Sequence, residues 1–480
     1  MNNLAFATIK DLRTKLDNKE ISAKELAQFF TQRFADHDST IQSALEIFQV
    51  DSVLNASQQK GTLYGIPGLI KDNISQQDRG LTCASKILQN FTAVYDATAT
   101  ARLKQEGALL LGRANMDEFA MGSSGETSAY QITKNPWDTS RVPGGSSSGS
   151  AAAVAAGLVP WTLGTDTGGS VRQPAAFCNL VGIKPTYGLV SRYGIVAYGS
   201  SLDQIGVMTR TVYDNALVLS VIAGHDPKDS SSLAVAKKDY TASLDGKIPA
   251  GLRIGIVENA LYADGMDNEV VTAIEQATKV FEGLGATIKR IKLPALDYSA
   301  ATYFIVSRAE AASNLARFDG VRYGLRDKDA ASLHDMYFNT RHDGFGAEVR
   351  TRILIGNYVL SAGYANSYYE NAKKVQHMMT QEFLDAYKDV DLVIMPTAPC
   401  AAFKFGAFAK DKLQMDLQDY FTCAANLTGM PAIGIPCGMT SEQLPIGLQL
   451  YGKHLSEELI YKVAHAYQEA TSWHTMHAQI

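Results

Sequence analysis

Apolar positions recur along this chain with two different periods, and the change from one to the other divides it. Over residues 8–48 they fall at steps of three and four, as in Leu26, Phe29, Phe30 and Phe34, the spacing of one helix face. Ser22-Ala23-Lys24-Glu25 precedes that run and fits a capping box, with Glu25 reaching back to Ser22. Helices are predicted through this segment. Residues 61–215 read differently, as short apolar runs broken by glycine and small residues. Leu69-Ile70 and Ala108–Gly112 predict buried strands. The alanines from Ala151 to Ala156 predict a close-packed helix whose free N–H groups point back toward the serines before it.

The remainder alternates the two periods. A strand is predicted over 252–257, an amphipathic helix over 267–284 and a strand over 286–291, which together make a βαβ unit. Residues 346–388 read as mostly helical. Further strands are predicted at 392–395, 432–435 and 446–450, and Ser456 is placed to cap a last helix. The polar stretch 226–250 reads as a surface excursion rather than a linker. These elements imply one large α/β domain over residues 1–480 with a mixed sheet and helices on both faces. Its parts are N-terminal helices (1–60), a core (61–215) and a remaining α/β part (216–480).

The candidate chemistry lies inside the glycine-rich core. Pro143-Gly144-Gly145-Ser146-Ser147-Ser148-Gly149-Ser150 leads into the alanine-rich segment, and Gly164-Thr165-Asp166-Thr167-Gly168-Gly169-Ser170-Val171-Arg172 follows. A serine nucleophile needs a base beside it, usually histidine. No histidine lies between His37 and His225. Lys71, set in an apolar run, is the best candidate, because burial disfavours the charged ammonium and leaves a neutral amine able to take a proton. Asp166 and Arg172 flank Ser170 with opposite charges and read as a structural ion pair. The glycine-rich loop lacks the lysine and threonine of a P-loop, which excludes that form of phosphate site. Cys178 reads as a core residue.

Composition narrows the class further. Hydrophobic residues make up 46% and charged residues 19% of 480, which excludes a disordered chain. A net charge of −5 argues against direct tight binding of nucleic acid. The five cysteines form no CxxC pair, so neither a zinc site nor a disulfide framework is expected, and no metal is expected at the site. The N-terminus mixes charges early and has no long apolar run, which reads as neither a signal peptide nor a membrane span. A cytoplasmic protein with no membrane association is expected.

The run GGSSSGSAAAVAAG followed by GTDTGGSVRQPA resembles the amidase signature family, whose members use a Ser–cis-Ser–Lys triad. The resemblance implies the amidase signature fold, with Ser170 as nucleophile, Ser146 as the bridging serine after a cis peptide from Gly145, and Lys71 as base. It implies an oxyanion hole built from the backbone N–H groups of Thr167, Gly168, Gly169 and Ser170. Within the family, the segments 115–124, 182–188, 190–194, 200–206, 309–324 and 426–432 are similar to the glutaminase (GatA-type) chains of tRNA-dependent amidotransferases. That likeness implies hydrolysis of glutamine and delivery of ammonia for the ATP-dependent conversion of Glu-tRNA(Gln), or Asp-tRNA(Asn), to its amide. It implies two partners, a tRNA-binding GatB-type chain and a small GatC-type chain. No cofactor is implied in this chain, with ATP and Mg2+ used by the tRNA-binding partner and tRNA contacted mainly through it. Tyr303, Arg352 and Asp419 are implied as the glutamine pocket, with Arg350 competing with Arg352 and Asp416 with Asp419. If their segment is helical, the two aspartates lie on roughly the same face. A stand-alone amidase acting on another small or acyl amide is the alternative enzyme, and a scaffold protein without chemistry is the alternative outside enzymes.

Overall fold

Strands from both ends of the chain join one sheet in the computed structural model, which describes residues 4–58 and 60–480. In chain order they are β1 (Ala44–Ile47), β2 (Pro67–Lys71), β3 (Leu109–Ala114), β4 (Trp161–Asp166), β5 (Val181–Lys184), β6 (Gln204–Thr209), β7 (Arg253–Val257), β8 (Thr287–Ile291), β9 (Leu392–Pro396), β10 (Ala432–Met439) and β11 (Pro445–Tyr451). Their order across the sheet is β1-β3-β2-β4-β6-β5-β10-β11-β9-β7-β8. Parallel pairs link β3, β2 and β4 at one end and β9, β7 and β8 at the other, and antiparallel pairs fill the middle. The sheet is therefore mixed, as the sequence implied.

Helices cover both faces. Successive side chains of a strand point to opposite sides, and the core separates accordingly. Leu392 and Ile394 of β9 pack into one hydrophobic cluster with the helices Ala23–Ile41, Asn268–Gly283 and Glu457–Glu469. Val393 and Met395 pack into another with the helices Ser299–Asn314 and Tyr369–Asp389. The βαβ unit forms as expected: β7 and β8 are parallel, and the helix Asn268–Gly283 between them is capped by Asp267. The capping box at Ser22 is present in both directions.

Three expectations are corrected. Residues 8–48 are not helical throughout. Helices occupy Ile9–Asp17 and Ala23–Ile41, Gln42 ends the second in a left-handed conformation (φ 58°), and Ala44–Ile47 then pairs with β3 as an edge strand. The four residues are too few for periodicity to distinguish the two states, and tertiary pairing decides. Residues 346–388 hold two helices, Ala347–Leu360 and Tyr369–Asp389, interrupted between them. Ser456 does precede the last helix, but its hydroxyl donates to the Lys453 carbonyl at 2.6 Å instead of capping. Among the described residues, no helix is long and apolar enough to cross a membrane.

Candidate active site

The site forms at the carboxyl ends of β2 and β4, which run side by side in parallel, the usual place for chemistry in such sheets. Lys71 is the last residue of β2 and is wholly buried. Its Nζ donates to Ser146 Oγ at 2.8 Å, Ser147 Oγ at 2.9 Å and Thr165 Oγ1 at 3.0 Å. Burial is the dominant influence and pushes its pKa down to about 7, against the opposing charges of Asp117, Asp166 and Asp203. The amine is thus close to half neutral at physiological pH, the state a general base requires.

Ser146 is delivered by the turn before the helix Ser148–Ala155. The Gly145–Ser146 peptide is cis. Gly145 has no room for a side chain, because a Cβ there would lie 2.1 Å from Asp117 Oδ2 and 2.7 Å from the Ser124 nitrogen. Two flanking hydrogen bonds hold the turn: Gly145 N–H donates to Gln173 Oε1 at 3.0 Å, and Asp117 N–H donates to the Ser146 carbonyl at 3.1 Å. The two serines on Lys71 differ in what their protons do. Ser147 donates to the Thr165 carbonyl at 3.2 Å, whereas no group among the described residues takes a proton from Ser146, which leaves it available for relay.

Ser170 lies on the loop between β4 and the helix Arg172–Phe177 and is 7% exposed. Its carbonyl accepts the Ser147 N–H at 3.3 Å, which joins the two serine loops. Asp166 shapes this loop. Its carboxylate takes the Gly169 N–H at 2.9 Å, the Val171 N–H at 3.3 Å and two Arg172 nitrogens at 3.0 Å each. Both side chains of this pair are fully buried, so the flanking charges form the structural ion pair the sequence implied. Burial works to raise the Asp166 pKa, and Arg172 with its hydrogen bonds outweighs it, leaving the carboxyl below its ordinary range. Of the four N–H groups expected to form an oxyanion hole, that of Gly169 is therefore committed to Asp166. Those of Thr167, Gly168 and Ser170 meet no acceptor among the described residues.

The pocket residues converge over the same loop. A Cβ on Gly168 would lie 2.5 Å from the Tyr303 ring, so that ring lies against the loop backbone. Arg352, on the helix Ala347–Leu360, is buried and donates from Nε to Glu348 at 2.8 Å and from Nη1 to the Tyr198 hydroxyl at 2.8 Å. Its Nη2 makes no hydrogen bond among the described residues. Asp419 is buried; its Oδ2 accepts the Ser123 hydroxyl at 2.5 Å and its Oδ1 has no partner. Burial raises its pKa to about 7, against Ser123 and the charge of Arg352.

Both competitors are engaged elsewhere. Asp416 pairs with Arg308 at 2.8 Å, and Arg350 donates to the His342 carbonyl at 3.2 Å. The helix Lys412–Leu417 ends before Asp419, so the two aspartates do not share a helix face. Cys178 is buried, as expected of a core residue. Asp117, Thr165, Tyr198 and Ser123 also belong to the site, and sequence reasoning missed them. Ser123 and Asp117 stand in the segment 115–124 that carried part of the resemblance, which was the only signal for them.

Comparison with known proteins agrees with this geometry. A sequence profile of the amidase family matches residues 25–461. The chain is 49% identical over 476 residues to the A chain of the glutamyl-tRNA(Gln) amidotransferase of Halalkalibacterium halodurans, covering 97% of this chain and 98% of that protein. The crystal structure of the corresponding glutamyl-tRNA(Gln) amidotransferase chain from Thermotoga maritima superposes with a TM-score of 0.83 at 41% identity, covering 97% of this chain and 95% of that one. The peptide amidase of Stenotrophomonas maltophilia superposes with a TM-score of 0.83 at 31% identity, with 97% of each chain covered.

Proposed function

The chain belongs to the amidase family, and from that premise we propose that it is the glutamine-hydrolysing component of a tRNA-dependent amidotransferase. The observation that carries this reading is a buried lysine with a pKa of about 7, hydrogen-bonded to Ser146, beside a pocket that presents one buried cation and one buried carboxylate with an unpartnered oxygen. Near-full-length identity to glutamyl-tRNA(Gln) amidotransferase chains supports the choice of glutamine. Glutamine is a zwitterion, and such a pocket answers both of its charges. Arg352 Nη2 meets the α-carboxylate, Asp419 Oδ1 meets the ammonium, and Tyr303 lines the side-chain path.

The triad then works as follows. Ser170 attacks the carboxamide carbon while its proton moves to Ser146 and the Ser146 proton to neutral Lys71. The N–H groups of Thr167, Gly168 and Ser170 hold the developing oxyanion. The proton returns by the same relay to the leaving nitrogen, ammonia departs, and a glutamyl ester remains on Ser170. Water, deprotonated through Ser146 and Lys71, opens the ester to glutamate and frees Ser170, so one glutamine and one water give one glutamate and one ammonia. The ammonia serves the GatB-type and GatC-type partners, which bind the misacylated tRNA and carry out amidation with ATP and Mg2+. Ammonia release from glutamine by the chain assembled with those partners tests the reading. It is expected to disappear in Ser170→Ala with the fold retained, and full turnover by that variant sinks it.

A further inference from the structure

Two segments that carried the resemblance, 190–194 and 200–206, have no part in the chemistry above, and the structure brings both to one buried carboxylate. Asp203 is 2% exposed. Its Oδ1 accepts the Thr167 hydroxyl at 2.7 Å and the Gly199 N–H at 3.1 Å, its Oδ2 accepts the Tyr198 N–H at 3.0 Å, and Arg192 Nη2 lies 4.0 Å away. Thr167 opens the loop that carries Ser170. Tyr198 ends on the substrate clamp: its hydroxyl accepts from Arg352 Nη1 at 2.8 Å and donates to Ser307 at 3.1 Å.

We propose that Asp203 is a positioning residue that holds the nucleophile loop and the Arg352 clamp at a fixed separation, matched to the distance between the carboxamide and the α-carboxylate of glutamine. This rests on the glutaminase reading. Glutamine joins those two groups through a flexible chain, so the site must supply the spacing, and small displacements of either end lower the rate steeply. Thr167 and Arg352 are far apart in sequence, and no single element carries both. A carboxylate suits the task because it only accepts, and it has room for all three donors. An isosteric asparagine turns one of the two oxygens into a donor, which then faces either the Thr167 and Gly199 donors or the Tyr198 N–H.

A second effect separates this role from packing alone. Lys71 feels the charges of Asp117, Asp166, Asp203 and Cys83. Removing the negative charge at residue 203 favours the neutral amine, and activity then persists to lower pH.

The test is Asp203→Asn in the assembled enzyme, with folding confirmed by circular dichroism. Two readouts are used: KM and kcat for glutamine, and the pH dependence of Ser170 labelling by a sulfonyl fluoride. KM is expected to rise roughly tenfold or more, the loss expected for a hydrogen bond to a charged group. kcat is expected to fall as well, and the acid midpoint of labelling to move to lower pH. Thr167→Val, which releases only the loop, is expected to lower kcat. Tyr198→Phe, which releases only the clamp, is expected to raise KM. An Asp203→Asn enzyme with an unchanged KM, or with an unmoved labelling midpoint, overturns the proposal. If Asp203→Asn does not fold, the two single-ended variants decide it: identical effects of both on kcat and KM overturn it. A wild-type enzyme that labels at Ser170 but releases no ammonia from glutamine sinks the glutaminase reading instead, and the labelling midpoint then decides the role of Asp203.

Discussion

Two side chains in one pocket change charge near the same pH, and both must lose a proton for glutamine to be used. Burial places Lys71 at about 7 and Asp419 at about 7. As pH falls, Lys71 gains a proton and ceases to be a base, while Asp419 gains one and can no longer pair with an ammonium. Because kcat/KM reports the free enzyme, both ionisations enter it. A plot of log(kcat/KM) against pH is expected to approach a slope of about two on the acid side. Bound glutamine holds Asp419 ionised, so log kcat is expected to approach a slope of about one. Asp419→Asn is expected to raise KM and to reduce the first slope to about one. A wild-type slope of one in kcat/KM shows that only one of the two groups titrates there. At this scale the triad was legible because the apolar run around Lys71 and the two serine loops are local patterns. Thr165, Tyr198 and Asp203 were not, since their roles come only from neighbours brought in by the fold.

Among elements, the short link between β4 and the helix Arg172–Phe177 matters most, because it carries Ser170. Its shape depends on Asp166, which binds two backbone N–H groups of the link and the Arg172 guanidinium at once. Arg172 has further acceptors in Gln449, the Thr422 carbonyl and Asn426, but these are neutral. Asp166→Ala leaves a buried guanidinium without a counter-charge and is expected to destabilise the protein by about 3–5 kcal/mol. Urea unfolding measures this, with Ser170→Ala as reference, expected within about 0.5 kcal/mol of wild type. Equal midpoints for the two variants would show that the ion pair does not support the link. The element itself was hard to read from sequence. β4, β5 and β6 gave no strand signal, because their glycines and threonines interrupt the apolar run while burial on both faces removes the alternation. The β7–helix–β8 unit was legible for the opposite reason: its period changes from two to 3.6 and back, with an aspartate cap between.

Taken whole, the molecule shows a division of labour in its charge as well as its topology. Strand order across the sheet departs widely from chain order, and no local pattern in the sequence reports which distant strands become neighbours. Charge needs no such information: 44 basic against 49 acidic residues describe the chain however it folds. Several exposed cations are also spent locally, among them Lys388 on Asp385, Arg290 on Glu275 and Lys238 on Glu458. Binding of tRNA depends mainly on neutralising phosphates, and six to ten such contacts lower affinity by about 10³–10⁵ between 50 and 200 mM salt. This chain is not built to supply them. Fluorescence anisotropy with labelled tRNA is expected to show no saturable binding by the isolated chain at micromolar concentration. The assembly with its partners is expected to bind, with a steep salt dependence. Tight binding by the isolated chain with that same steep slope would place the phosphate contacts here, and the tRNA-binding role could no longer be assigned to the partner alone.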